Sequence, residues 1–222
     1  MKIPAFAIFA PGPITADYTK RLFFLLLGFL TALVFVKVEI RLLLGADAQW
    51  STRIRPYAWL LHVHAICGSV ALIAGASQFF SLNRRNYPHA HRILGRCYVV
   101  AVAIAAPSAI WIAIRYGETS EGMAAVAQSV VWLYVTTAAL LAILKRNIVQ
   151  HRMWMVRSYA LTFTFVLSRF LTEILQLQVT KDYGGSAALI WVVTIGMLLF
   201  ADSITSWGKS TPLQIAQQSS AT

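Results

Sequence analysis

Charge is scarce in this chain. Asp, Glu, Lys and Arg together make up 12% of its 222 residues, roughly half the ~25% of an ordinary soluble domain. Glycine-rich phosphate-binding fingerprints are missing too: neither a dinucleotide-binding G-x-G-x-x-G nor a P-loop motif occurs, which excludes a conventional Rossmann or P-loop unit. Acidic residues number only eight and form no acid-rich motif, so a magnesium-dependent enzyme acting on pyrophosphate ranks low. There are two cysteines, Cys67 and Cys97, each inside an apolar segment, and they read as small buried hydrophobes rather than a disulfide. No cluster of Cys or carboxylates has metal-site spacing, and the His62-x-His64 pair alone is a weak signal for copper or zinc. Residues 1–20 lack a compact apolar core ending in a small-residue cleavage site, so they read as an amphipathic lead-in and not as a signal peptide.

What is abundant is apolar surface. Apolar residues make up 58% of the chain, and one bilayer-spanning helix needs about 20 of them in a row. Six segments qualify, at about 22–44, 57–81, 91–115, 123–144, 152–177 and 187–207. The expected fold is therefore all-α, a polytopic transmembrane bundle of six spans (22–207) preceded by a short interfacial segment (1–21) and followed by a polar, disordered tail (208–222). The net charge of +11 falls between apolar runs and not on one amphipathic face, so it reports topology and no nucleic-acid partner. With the N-terminus inside, twelve of the nineteen Lys and Arg lie on the cytoplasmic side, five outside and two, Lys37 and Arg169, in or near spans. The positive-inside rule then puts both termini in the cytoplasm. Pro107 within the third span is a candidate kink, while Gly68 and Gly75 in the second suit close helix packing. Tryptophans and tyrosines near the span ends read as interfacial belts.

Hydrocarbon penalises ionisable side chains unless they pair, snorkel or bind something, so those at the span ends are the informative ones. On the cytoplasmic side His91, Arg92 and Arg96 open the third span, and His151, Arg152 and Arg157, followed by Tyr159, open the fifth. On the outer side stand His62 and His64 of the second span with Arg169 and Glu173 of the fifth. His151 and Arg169 are 18 residues apart, about 27 Å along a helix, so one helix serves both faces. Arg169 and Glu173 are spaced for an i, i+4 ion pair. His62 and His64 are separated by about 200° of helix turn, so only one can face a given partner. His91 and His151 have the chemistry to ligate a b-type haem, with flanking arginines on its propionates, although simple interfacial anchoring also explains them and is the first reading. The same arginines suit lipid phosphate or the polar end of a quinone.

Three segments carry a family resemblance: HAICGSVALIAGASQF (64–79), HRILGRCYV (91–99) and HRMWMVRSYALTFTFVLSR (151–169). They resemble the bacterial membrane proteins grouped as domain of unknown function 2306, over about residues 57–175. Matched position by position, the resemblance singles out His64, Gln78, His91, Gly95, Arg96, Tyr98, His151, Met155, Arg157, Tyr159 and Arg169, and it favours His64 over His62. It implies an architecture and a residue set but no reaction. The layout of histidines at helix ends is also similar to that of cytochrome b-561-type membrane proteins, with one histidine fewer than two bis-histidine haems require.

The expectation is a multi-pass protein of the bacterial cytoplasmic membrane with a His/Arg site binding haem b or quinone in electron transfer. His91 and His151 would serve as haem-iron ligands or quinone partners, Arg96 and Arg157 would hold an anionic group, and Tyr159 would donate a hydrogen bond. His64, Arg169 and Glu173 would form a second, outer site. The rival readings are a non-catalytic subunit of a larger membrane complex, its polar residues serving lipid headgroups and helix pairing, and a small transporter.

Overall fold

The computed structural model describes residues 25–26, 28–40, 44, 55–79, 87–177 and 185–207. The expected interfacial segment 1–21 and tail 208–222 lie outside them, as do Lys2, Lys20, Arg21, Arg41, Arg53, Arg84, Arg85, Lys181 and Lys209 of the charge count. The described residues are helical, with no strand among them. A first helix, α1, covers residues 28–40 and includes a π-helical turn at Phe35–Glu39. It is followed by α2 (Ala58–Gln78), α3 (Pro88–Tyr116), α4 (Thr119–Leu144), α5 (Ile148–Arg169, continued by a π-helical turn at Phe170–Ile174) and α6 (Gly185–Trp207).

Four of these are long and apolar enough to cross a membrane: Arg55–Gln78, Pro88–Tyr116, Thr119–Leu144 and Gly185–Ser206. The remaining long helix, α5, is more polar, and its position explains why. It packs against α4, α6 and α2, and an unbroken run from Ser158 to Thr164 is buried. A helix surrounded by other helices can carry hydroxyls that a lipid-facing helix cannot, provided each finds a partner.

Packing is organised as a ring in which α2 lies on α3, α3 on α4, α4 on α5 and α5 back on α2, with α6 lodged against α4 and α5. The core between them holds Ala71, Tyr98, Ala101, Val102, Ala105, Trp132, Val135, Tyr159 and Leu161. Small residues dominate α2 and α3 at this seam, and they permit the close backbone approach that membrane helices use in place of a hydrophobic driving force. Val34 of α1 is buried against Leu72, Phe163 and Val166. Outward faces carry exposed Trp59, Ile66, Ile73, Trp111, Ile114, Val192 and Leu199, the surface a lipid-contacting bundle presents.

Local chemistry sets the helix ends. Pro88 stands in the first turn of α3, where its missing N–H would have had no partner anyway, so the helix begins three residues ahead of the apolar run. Pro107 lies inside α3 without ending it. The basic connection before the fifth span shrinks to Lys145–Asn147, since Asn147 caps α5 by accepting from Gln150 N at 3.0 Å. Arg146 takes a left-handed backbone (φ 58°), and Asn147 N donates to Ala142 O at 2.9 Å, closing α4 in the manner of a Schellman turn.

Candidate functional site

Consecutive helices alternate direction, so the bundle has two ends. At one lie the start of α2, the end of α3, the start of α4 and the end of α5; the Tyr57 and Tyr116 rings stack there at 4.3 Å. This is the end that holds a cavity of about 500 Å³, within the range of small-molecule sites. All six helices contribute to its wall, which is mainly apolar. His64 of α2, Glu121 and Gln128 of α4 and Arg169 of α5 supply polar groups, and Trp132 and Thr162 lie at its inner limit.

His64 is held by α3. Its Nδ1 donates to the Ala105 carbonyl at 2.8 Å, and Ser108 Oγ, which donates to the same carbonyl at 2.8 Å, lies 3.5 Å from the ring. A carbonyl only accepts, so Nδ1 carries the hydrogen and the neutral ring keeps its acceptor on Nε2. His62 instead turns back along its own helix, with Nδ1 donating to the Ala58 carbonyl at 2.5 Å. The 200° separation expected between the two histidines is what divides them.

Arg169 sits at the cavity mouth, 3.5 Å from Glu173 and over the Phe165 ring at 5.6 Å. Both side chains of the ion pair are partly exposed, at 33% and 46%, and the long contact marks a weak tie. His64 and Arg169 therefore share one cavity, and Glu173 adjoins it through Arg169. Glu121, Gln128 and Trp132 complete it, and sequence reasoning missed all three. Their signal was a periodic one, since positions 121, 128 and 132 are spaced i, i+7, i+11 and fall on one helix face.

Beneath the cavity runs a chain of buried hydroxyls. Trp132 Nε1 donates to Thr162 Oγ1 at 3.1 Å. The Tyr98 hydroxyl lies 2.9 Å from Thr162 Oγ1 and 2.6 Å from Ser158 Oγ, and Ser158 Oγ is 2.7 Å from Thr136 Oγ1. Thr136 in turn donates to the Trp132 carbonyl at 2.7 Å, and Gln128 donates to Thr164 Oγ1. Every member has a partner, the condition under which polar groups are tolerated in such a core.

The opposite end of the bundle carries the other expected residues, and there they diverge. His151 Nδ1 donates to the Ala139 carbonyl of α4 at 2.8 Å. Arg157 Nε pairs with Asp202 of α6 at 2.6 Å and lies over the Trp154 ring at 4.8 Å. Tyr159 donates to the Leu72 carbonyl of α2 at 3.4 Å and packs on Phe79 at 5.1 Å. Three side chains of one helix thus address three different neighbours. His91 and Arg96 stand in the first turns of α3, His91 half-buried and Arg96 exposed. Gly95 of the same helix faces the Gln78 side chain of α2. Among the described residues no group of three or more His, Cys, Asp or Glu gathers at metal-binding distance.

Comparison with known proteins agrees with this architecture. The family model described as "Predicted membrane protein (DUF2306)" matches residues 61–205, from within α2 to the last turn of α6. No curated protein and no solved structure matches the chain. The matched stretch takes in His64, the hydroxyl chain and Arg169 together, and it makes up well over half of the sequence. The chain belongs to the DUF2306 family of predicted membrane proteins.

Proposed function

We propose that this protein binds a quinone-like amphiphile in its cavity and takes part in membrane electron transfer. One observation carries the reading: a largely apolar cavity of about 500 Å³ that His64, Glu121 and Arg169 line from three different helices. An apolar wall with a few convergent polar groups suits a ligand that is oily over most of its surface and polar at one end. Arg169 donates to a quinone carbonyl, and His64 Nε2 accepts from the hydroxyl of the reduced form. The charges of Arg169 and Glu121 offset each other, and Glu173 partly neutralises Arg169, so a neutral head fits better than a phosphate, which would stand against the carboxylates. A redox partner in the membrane takes or gives the electrons.

In the same reading all six helices cross the cytoplasmic membrane of a bacterium, and both termini lie in the cytoplasm. Supporting this, α5 has 22 residues, about 33 Å of helix, and is buried among its neighbours from Ser158 to Thr164. Arg92 and Arg96 at the start of α3 share one end of the bundle with Lys145 and Arg146 between α4 and α5 and with Arg152 early in α5.

The test is to titrate the purified protein, in lipid nanodiscs, with decylubiquinone. Saturable binding that falls at least about tenfold in His64→Ala and Arg169→Gln but persists in His62→Ala supports the assignment, a loss of about 1.4 kcal/mol per site. Equal binding by all four proteins, or none by any, removes it.

A haem reading has one observation in its favour. The Nδ1–H of His151 is anchored on a backbone carbonyl, which is how metal-bound histidines are oriented, with Nε2 left to coordinate. His91 would be the second ligand. A reduced-minus-oxidised spectrum of b type, lost in His151→Ala and His91→Ala, would establish it, and a colourless protein from haem-supplied cells would end it.

A further inference from the structure

The cavity ends on an indole whose polar atom is already engaged. Trp132 is 9% exposed, lines the cavity and donates its only N–H to Thr162 Oγ1 at 3.1 Å. Since indole has no other polar atom, Trp132 has only its ring to offer a ligand. The hydrogen bond anchors one edge of the ring, and packing in the buried core restrains its plane. Thr162 is itself fixed, by donating to the Ser158 carbonyl at 3.0 Å and by its contact with the Tyr98 hydroxyl.

Depth locates the ring. Trp132 is 11 residues beyond Glu121 on α4, about 16 Å along the helix, and Thr162 is seven residues, about 10 Å, inward of Arg169 on α5. Helical side chains lean towards the N-terminus of their helix, and α4 begins at the cavity mouth, so Trp132 leans back towards His64. Gln128, one turn nearer the mouth, is tied to Thr164 through Nε2 and keeps its carbonyl oxygen as a polar group above the level of the indole.

We propose that Trp132 is the platform on which the ligand's head group rests, and that Thr162 is the positioning residue that holds it flat. This rests on the quinone-type reading of the cavity and adds to it the position and shape of the head. The head is a flat, unsaturated ring, inserted past the mouth to the level between His64 and Trp132, with one oxygen at His64. A saturated or branched head would gain nothing from a fixed aromatic plane, whereas an electron-poor ring gains from offset stacking.

Fluorescence and calorimetry together separate stacking on Trp132 from binding in the cavity. Decylubiquinone is titrated into the nanodisc-embedded protein, with affinity measured independently by calorimetry and intrinsic tryptophan emission followed in parallel. The wild type is expected to bind and to be quenched. Trp132→Phe should keep most of the affinity while losing the largest single share of the quenching among the seven tryptophans. Trp132→Leu should weaken binding about fivefold to tenfold, and Thr162→Val should weaken it less and shift the emission maximum. Rescue by Phe over Leu is what a merely structural Trp132 would not produce. If Trp132→Leu binds as tightly as wild type while His64→Ala does not, the platform is overturned and the cavity reading stands. If the wild type binds no quinone, both fall. Circular dichroism of each variant, compared with wild type, identifies any that fails to fold. Should Trp132→Leu be one of these, undiminished quenching in Trp132→Phe overturns the platform by itself.

Discussion

The Tyr98 hydroxyl lies 2.6 Å from Ser158 Oγ, although the helices that carry them, α3 and α5, stand across the ring from each other. Tyr98 is fully buried, as is Ser158, so a phenol bridges the middle of the bundle and ties two helices whose backbones do not pack closely.

Replacing Tyr98 with Phe tests the value of that tie. The change removes one hydroxyl but strands little, because Ser158 keeps Thr136 and Thr162 keeps Trp132. The cost should therefore sit near the ordinary value for hydrogen bonds between membrane helices, about 0.5–1.5 kcal/mol, and well below that of an unsatisfied buried group. Unfolding in mixed detergent and SDS, followed by circular dichroism, measures it. Tyr98→Phe combined with Ser158→Ala should cost less than the two single changes added together. Strict additivity would mean that the two hydroxyls do not interact.

The helices themselves were legible because a bilayer demands long apolar runs, and four spans meet that demand outright. The fifth apolar segment was visible by its length, but nothing in the sequence marked its Ser158, Thr162 and Thr164 as the polar interior of the bundle. Candidate residues could be sorted by helix end from their positions along the apolar segments, which brought His64 together with Arg169. Their convergence on one cavity could not be read, because it depends on which helix lies beside which. Glu121, Gln128 and Trp132 went unnoticed for the same reason: each is unremarkable until α4 is placed between α3 and α5. At the other end, proximity in sequence misled. Arg157 and Tyr159 are two residues apart, about 200° around the helix, and reach Asp202 and Leu72 on different helices.

Gly75 and Gly68 should respond unequally to one added methyl group. A Cβ at Gly75 would stand 2.5 Å from Tyr159 Cδ2 and 2.9 Å from Tyr98 Cε2, whereas a Cβ at Gly68 would meet nothing within 4 Å. Both rings are confined, Tyr98 by its two hydroxyl partners and Tyr159 by Phe79 and the Leu72 carbonyl, so neither can retreat cheaply. Gly75→Ala should destabilise by about 1–3 kcal/mol, the usual range for overpacking, and Gly68→Ala should change stability by less than about 0.5 kcal/mol. Equal midpoints for the two variants would contradict the close approach of α2 to the tyrosines.

Thr194 supplies the opposite sign. It is 5% exposed and its hydroxyl has no hydrogen-bond partner among the described residues, unlike Ser158, Thr162 and Thr164 of α5. A buried hydroxyl left without a partner costs about 1–3 kcal/mol. Valine has nearly the same shape and no polar atom, so Thr194→Val removes the cost without leaving a void. The variant should be more stable by about 1 kcal/mol, seen as a higher SDS midpoint. The parallel change Thr162→Val, at a threonine engaged by Trp132, Tyr98 and the Ser158 carbonyl, should lower that midpoint. Two Thr→Val substitutions in one membrane core would then move stability in opposite directions. The cause would be partnership and not polarity, and a loss of stability in Thr194→Val would show that its hydroxyl is held.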